Sequence, residues 1–466
     1  MHFDHSLLQS GGKYAYDILG VIPLAARKKR KPLSPPQFLA LLLMLTILIG
    51  TLLLKLPVST ERPISWITAL FTSASATTVT GLFTVENTTI FTPFGNIVIL
   101  IIIQLGGLGI MTFAVLIFLL IEKSISIKQS LLIQKALNQN SLRGIVKLIK
   151  RLFMFSLFFE GFMAVLLAFR FIPELGWNKG IGYAIFHSIS AFNNAGYSLW
   201  PDSLTRYAGD PVINILFSVS IMMGGLGFTV LNDIWDKKRW RAYLLHTKVM
   251  LLGTMMMNAI AMIVIFLLEY DNPLTLSHLP FHDRVWTAFF QATTTRTAGF
   301  HTVSIQDLRP ETLFLMMILM FIGAGSVSTS GGIKLTTAVC LVMMVCAYIR
   351  KQNEPMLMRR SIHQEDIFKA LTITILSISM IFTAIFIMLI SEKSSITFFQ
   401  IAFEVVSAFG TVGLSTGITP ELSPLGQWVI ILVMIFGKLG PLTMVFSTSS
   451  RAQDHIRYPS GKLFIG

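Results

Sequence analysis

Apolar residues gather into runs of two lengths along this chain. Long runs cover about residues 38–56, 96–121, 152–171, 212–234, 250–268, 312–349, 367–390 and 428–446, and short ones cover 66–76, 183–192, 286–294 and 396–409. Several long runs approach or exceed the roughly 20 residues a helix needs to cross bilayer hydrocarbon, and the short ones fall below it. The order long, short, long recurs, which predicts four tandem units at 37–123, 148–235, 246–350 and 366–449, with a polar segment 1–36 before them and a tail 450–466 after. The run 312–349 is anomalous. At 1.5 Å per residue it would extend about 55 Å, well beyond the bilayer core.

After each short run the pattern is interrupted by a similar turn. The turns are Thr77-Thr78-Val79-Thr80-Gly81, Asn193-Asn194-Ala195-Gly196, Arg296-Thr297-Ala298-Gly299 and Gly410-Thr411-Val412-Gly413. Ten residues before each glycine stands a phenylalanine, Phe71, Phe186, Phe289 or Phe403, and six before it a hydroxyl residue, Ser75, Ser190, Thr293 or Ser407. Each closing run carries a second glycine 24 to 28 residues after the turn glycine, at Gly106, Gly224, Gly323 and Gly437.

Composition turns these runs into membrane segments. With 53% hydrophobic and 13% charged residues and a mean hydropathy of +0.69, the chain cannot keep its apolar surface from water as a soluble domain does. The lipid bilayer is therefore its solvent. A formal charge of +14 does not imply nucleic acid, because the basic residues sit in short loops between runs, where they set topology. They crowd the connections between units, whereas the connections within units carry Glu86, Glu174, Asp202, Asp210, Asp271, Asp283 and Glu421. This bias places both termini and the inter-unit loops in the cytoplasm, so the short segments re-enter from the outer face. The expected fold is all-α, with eight spans and four re-entrant helices around a pseudo-fourfold axis. No cleaved signal peptide is expected, since the first long run follows the basic cluster 27–31. Cys340 and Cys346 share one apolar segment and form no disulfide framework or metal spacing.

Irregular backbone at membrane depth is tolerated where it is buried in protein or lines a water-filled path. Four turns meeting on one axis satisfy this, and their carbonyls can replace the hydration shell of a monovalent cation at the C-terminal, negative ends of the short helices. The candidate ion-binding residues are Thr78, Val79, Thr80 and Gly81; Asn193, Asn194, Ala195 and Gly196; Arg296, Thr297, Ala298 and Gly299; and Gly410, Thr411, Val412 and Gly413. The unequal side chains point to backbone carbonyls as the shared ligands.

With these turns, the stretches Thr294 to Phe300, Gly323 to Lys334 and Gly437-Lys438-Leu439-Gly440-Pro441-Leu442-Thr443 resemble the Trk/Ktr/HKT superfamily of potassium transporters, most closely the bacterial Ktr-type membrane subunit. The resemblance covers nearly the whole chain from about residue 36. It implies a potassium-selective filter at the four turns, a homodimer in the cell membrane, and control by a separate cytosolic ring of nucleotide-binding regulator subunits. It further implies potassium as substrate, sodium as a candidate activator, and no covalently bound cofactor. The tail would then reach the dimer partner near the cytoplasmic face.

Glycine, serine and threonine are abundant in 323–334, which should break the long third closing run. By resemblance this is an intramembrane gating loop, with Gly323, Gly325, Ser326, Ser328, Thr329, Ser330, Gly331, Gly332 and Lys334 as candidate gate residues. A plain small-residue helix contact is the competing reading. Lys438 is the other gate candidate, because an ionisable side chain inside a span usually faces a cavity. The family usually carries arginine there, so the charge is kept but the planar fork is lost. Arg296, three residues before Gly299, should be neutralised behind the filter, with Glu404 as the expected partner and Glu160 as the second.

A gated pore driven by the membrane potential is the leading functional reading. A sodium- or proton-coupled potassium symporter working by alternating access remains the alternative. No carboxylate pair, metal-ligand cluster or nucleophile motif in the spans supports a membrane enzyme, and no phosphate-binding glycine loop follows a strand.

Overall fold

A computed structural model of the chain describes residues 35–85, 90–109, 142–326, 328–352 and 354–440. The readings of the segment before residue 35, of the basic connection after the first unit and of the tail lie outside these residues. A sequence of long helix, short helix and closing helix occurs four times. The first set is α1 (Pro35–Leu54), α2 (Trp66–Thr78) and α3 (Pro93–Gly107). The second is α4 (Leu142–Leu175), α5 (Trp177–Phe192) and α6 (Pro211–Leu226), followed by α7 (Phe228–Asp236). The third is α8 (Leu245–Glu269), α9 (Phe281–Thr294) and α10 (Pro310–Phe321), followed by α11 (Leu335–Ile349). After a hairpin of β1 (Met356–Leu357) and β2 (Arg360–Ser361), the fourth is α12 (Gln364–Ser391), α13 (Phe398–Gly410) and α14 (Pro424–Leu439).

The long helices α1, α4, α8 and α12 each contain a segment long and apolar enough to cross a membrane. Their outward faces carry exposed large apolar side chains such as Leu48, Phe158, Met256 and Phe382. In water such a surface would drive association; in hydrocarbon it is the matching solvent. The short helices are held inside this outer layer, and most of the C-terminal half of each is buried.

Every closing helix starts with proline in its first turn, at Pro93, Pro211, Pro310 and Pro424. Proline suits that position because its missing N–H would have no helical partner. Thr92, Asp210 and Ser423 cap three of these starts by accepting backbone N–H bonds, and the fourth, at Arg309, has no side-chain cap.

The ends of the closing helices correct the sequence reading. Continuous closing spans were expected in every unit but the third, yet the helices have 15, 16, 12 and 16 residues. Sixteen residues extend about 24 Å, short of a hydrocarbon core of about 30 Å. In the first, second and fourth sets the helical path ends at Gly109, Gly227 and Gly440, with φ of 86°, 95° and 82°. Each lies three residues beyond a marker glycine, and a left-handed residue cannot continue a right-handed helix. After Gly227 the chain bends by 93° into α7. The break expected only in the third closing run therefore also occurs in the second; the residues after Gly109 and Gly440 lie outside those described.

Packing closes the four sets into a ring: α3 lies against α5, α6 against α9, α10 against α13, and α14 against α2. Marker glycines permit the tightest approaches. A Cβ at Gly106, Gly224 or Gly437 would sit 1.9, 1.8 or 2.0 Å from the carbonyl oxygen of Thr77, Phe192 or Phe409 near the end of the short helix. Gly323 departs from this pattern, since its Cβ would meet the Gly331 oxygen at 2.3 Å.

Candidate functional site

In all four turns the residue two before the glycine is left-handed although it has a side chain. Val79, Asn194, Thr297 and Thr411 have φ of 58°, 57°, 68° and 50°. Asparagine adopts this region readily, but β-branched valine and threonine are outliers in it, held only where their surroundings impose it. The glycines follow with φ of 91°, 68°, 80° and 89° at Gly81, Gly196, Gly299 and Gly413.

The glycines have a second role that the sequence did not reveal. A Cβ on Gly81 would lie 2.4 Å from the Ala195 carbonyl oxygen, on Gly196 2.9 Å from that of Ala298, on Gly299 2.4 Å from that of Val412, and on Gly413 2.1 Å from that of Thr80. Each glycine's empty side-chain position is thus filled by the carbonyl immediately preceding the next glycine, around a closed circuit. All four glycines line one cavity of ≈390 Å³, whose walls come from loops following the turns, including Trp200, Asp202, His301 and Thr416. Asp202 is held below the ordinary carboxylate range: partial burial opposes ionisation, but bonds from Thr205 and Arg206 outweigh it. Its carboxylate is therefore ionised at neutral pH and paired with Arg206.

The serine positions support the turns in different ways. Ser75 and Ser407 accept from the N–H of Gly81 and Gly413 at 3.1 Å, whereas Ser190 donates to the Tyr197 carbonyl at 2.8 Å. In the third turn Thr294, not the expected Thr293, donates to the Phe300 carbonyl, and Thr293 bonds back to Phe289. The reason is one of register. The bond from Thr80, Ala195 and Val412 N–H reaches back to Ser75, Ser190 and Ser407, but Ala298 N–H reaches only to Thr294. α9 accordingly ends five residues before its glycine, while the other short helices end three or four before theirs.

Glu160, buried in α4, anchors the second turn. It accepts from Gln104 at 3.1 and 3.0 Å, from Ser156 at 2.8 Å and from the Asn193 amide at 3.2 Å. Asn194 and Thr297 hydrogen-bond at 3.3 Å, tying the second turn to the third. Glu160→Leu should strand these buried donors, at about 1–3 kcal/mol for each left unpaired. A lowered midpoint in detergent melts is the expected result; an unchanged midpoint would show that the network contributes no stability.

The expected pairing of Arg296 is not found. Among the described residues Arg296 forms no ion pair. Glu404 instead accepts from Thr419 in the loop beyond the fourth turn, and Glu160 is taken by the donors above. Arg296 lies against α8 and the end of α6.

Below the third and fourth turns runs the irregular segment between α10 and α11. Gly325 N–H donates to the Gly225 carbonyl at 2.8 Å, Gly332 N–H to that of Gly437 at 3.3 Å, and Ile322 bridges Ile333. A Cβ on Gly331 would lie 2.4 Å from Thr411 Oγ1, and one on Gly332 3.3 Å from Gly410 Cα. Ser328 bonds the Gly325 carbonyl and Ser330, Ser326 meets Thr336, and Thr329 is fully buried. Lys438 donates to the Thr329 carbonyl at 2.5 Å, and Lys334 to those of Ser330 and Gly331 at 2.6 and 3.3 Å. Two ammonium groups thus end on three consecutive carbonyls, and among the described residues neither forms an ion pair. At the position of Lys438 the other units carry Gly107, Gly225 and Ala324, so one long side chain enters where three are absent or small.

A helical protein with apolar outer helices around an irregular, cavity-lining centre belongs to the class of multi-pass membrane transporters. The profile of the TrkH cation transport protein family matches residues 22–457. The chain is 50% identical to Ktr system potassium uptake protein B of Bacillus subtilis over 93% of its length and 97% of that protein. It is 36% identical to the protein of the same name from Vibrio alginolyticus, covering 96% and 98% of the two chains. Against the potassium/sodium uptake protein NtpJ of Enterococcus hirae it is 37% identical, over 94% and 99%. The solved structure of the potassium transporter TrkH from Vibrio parahaemolyticus superposes with a TM-score of 0.73 at 19% identity, covering 91% of this chain and 86% of that one. The chain belongs to the TrkH cation transport family and is a Ktr-type membrane subunit.

Proposed function

We propose that this chain is a potassium uptake pore whose selectivity filter is built by the four glycine turns. The circuit of four glycines, each seated against the next turn's carbonyl on one cavity, carries the reading. Relatives of near-equal length are named as potassium or potassium/sodium uptake proteins, which supports potassium as the ion. In this reading the units 37–123, 148–235, 246–350 and 366–449 are membrane-pore-membrane repeats, with eight crossings and four re-entrant helices around a pseudo-fourfold axis. Positive-inside charge favours cytoplasmic termini. Carbonyls of residues 78–81, 193–196, 296–299 and 410–413 replace the water shell of the ion. The segment 323–334 with Lys438 is the gate, crossing the path with its positive charges. No bound cofactor is needed; sodium is proposed as an activator. The working assembly in this reading is a homodimer with a separate cytosolic, nucleotide-binding ring; the name Ktr system borne by relatives supports only that the chain works with a partner subunit.

Expression with its regulator in a potassium-uptake-deficient cell should restore growth on limiting potassium. Uptake should follow the membrane potential when sodium and proton gradients are clamped. Uptake that collapses with the sodium or proton gradient at constant potential would favour the symport reading instead.

A further inference from the structure

Behind the third turn lies a cavity of ≈10 Å³, lined chiefly by Thr254 and Asn258 of α8, Thr293, Arg296, Gly225 at the end of α6, and Ala324 of the segment below. Five polar atoms of its lining side chains are buried without a partner: Nε and Nη1 of Arg296, Nδ2 and Oδ1 of Asn258, and Oγ1 of Thr254. The three side chains are 4, 5 and 4% exposed. Orphaned buried polar atoms are rare in folded proteins, and an orphaned buried charge is the most unfavourable of them. Arginine remains protonated at any ordinary pH. Four of the five atoms can donate a hydrogen bond, so what is missing is an acceptor. The space is at the lower limit for one water molecule, and a halide ion, being larger, enters only if the lining side chains move apart.

We infer that this cavity is a binding site for one small hydrogen-bond acceptor, a halide ion or a water molecule, which partners Arg296 in place of a carboxylate. A halide supplies the missing counter-charge three residues from Gly299; a water only distributes the hydrogen bonds. The occupant touches the third turn on one side and, on the other, residues beside the Gly325–Gly225 bond that anchors the segment below. Arg296 and Asn258 are then positioning residues: through the occupant, a shift of that anchor changes the support of the third turn.

The test is a structure of the full-length protein with its regulator, with bromide replacing chloride, joined to uptake measurements on two variants. A density peak within hydrogen-bond distance of Arg296 and Asn258 is expected. An anomalous signal on the peak assigns the halide, and a peak without one assigns water. An empty cavity with Asn258 bonded directly to the guanidinium overturns the site. Asn258→Leu removes the amide and fills the space. It should lower potassium uptake about tenfold, the usual scale of one lost bond to a buried charge, and narrow the ratio of potassium to sodium uptake. Asn258→Asp supplies a fixed carboxylate and should restore both, with uptake indifferent to exchange of chloride for gluconate. Unchanged uptake and ratio in a folded Asn258→Leu protein would overturn the link to the third turn. The scattering measurement stands apart from the transport reading, on which only the uptake arm rests, so failure of one is distinguishable from failure of the other.

Discussion

Alanine at Gly413 is expected to lower potassium uptake by at least about a hundredfold in a rubidium flux assay, and to do so in protein that still reaches the membrane. Gly413 has φ of +89°, and an added Cβ would lie 2.1 Å from the Thr80 oxygen and 3.0 Å from Gly81 Cα. Both neighbours are backbone, so no flexible side chain can swing away. A left-handed alanine costs about 1–2 kcal/mol on conformation alone. The collision adds to this by forcing Thr80 outward, and a carbonyl displaced by even 1 Å no longer fits an ion's coordination distance. Gly161→Ala is the control: Gly161 has negative φ, and a Cβ there meets nothing within 4 Å. Helix propensity favours that change by about 1 kcal/mol. Uptake by Gly413→Ala within twofold of the natural chain would remove the ring from the ion path.

Lys438→Met should raise uptake about a hundredfold in the regulator's non-permissive state and leave the activated state nearly unchanged. The ammonium holds the Thr329 carbonyl, so the substitution both frees that segment and deletes a charge. A unit charge about 6 Å from a cation at an effective dielectric of about 20 raises its energy by about 3 kcal/mol, a factor of about a hundred. Lys438→Arg keeps the charge and should keep the low resting flux. If Lys438→Met conducted no more than the natural chain at rest, neither the charge nor its bond would be the barrier. Lys334 reaches the adjacent carbonyls from within the segment, so a residual barrier in Lys438→Met is expected to vanish in the double variant.

Much of the architecture was legible because it is repeated. The short helices, the turn glycines and the marker glycines stand at near-constant offsets, and any one alone would have read as an ordinary helix break. Two further recurrences mark the same units. Proline opens every closing helix at Pro93, Pro211, Pro310 and Pro424. The pattern Gly-x-Leu-Gly at 106–109, 224–227 and 437–440 ends three of them. Hydropathy hid that break, because the residues following Gly109 are as apolar as those before, and the stretch after Gly227 still opens with Phe228-Thr229-Val230-Leu231 before its first carboxylate. Periodicity reports which residues avoid water but not whether the backbone turns between them.

The pairing of Arg296 was misread for a different reason. Two buried carboxylates stood in neighbouring elements, and charge alone made them natural partners. Their direction depends on local bonds that no spacing encodes: Thr419 claims Glu404, while Gln104, Ser156 and Asn193 share Glu160. The early end of α9 was equally invisible, since Thr293, Thr294 and Thr295 are three equivalent letters and the structure uses the second for the turn. The contact of each glycine with the neighbouring turn joins residues about a hundred positions apart in three cases and, for Gly413 and Thr80, opposite ends of the repeated region, and could only be seen once the circuit closed.

That circuit behaves as an arch of four stones. Each stone's missing corner receives the edge of the next, so no single quarter can be widened while its neighbours stay in place. The aperture is consequently a shared dimension, and its rigidity comes from closure rather than from the strength of any one turn. On the proposed reading, ions of different radius meet the same cooperative resistance from every side, even though the four segments spell their turns differently.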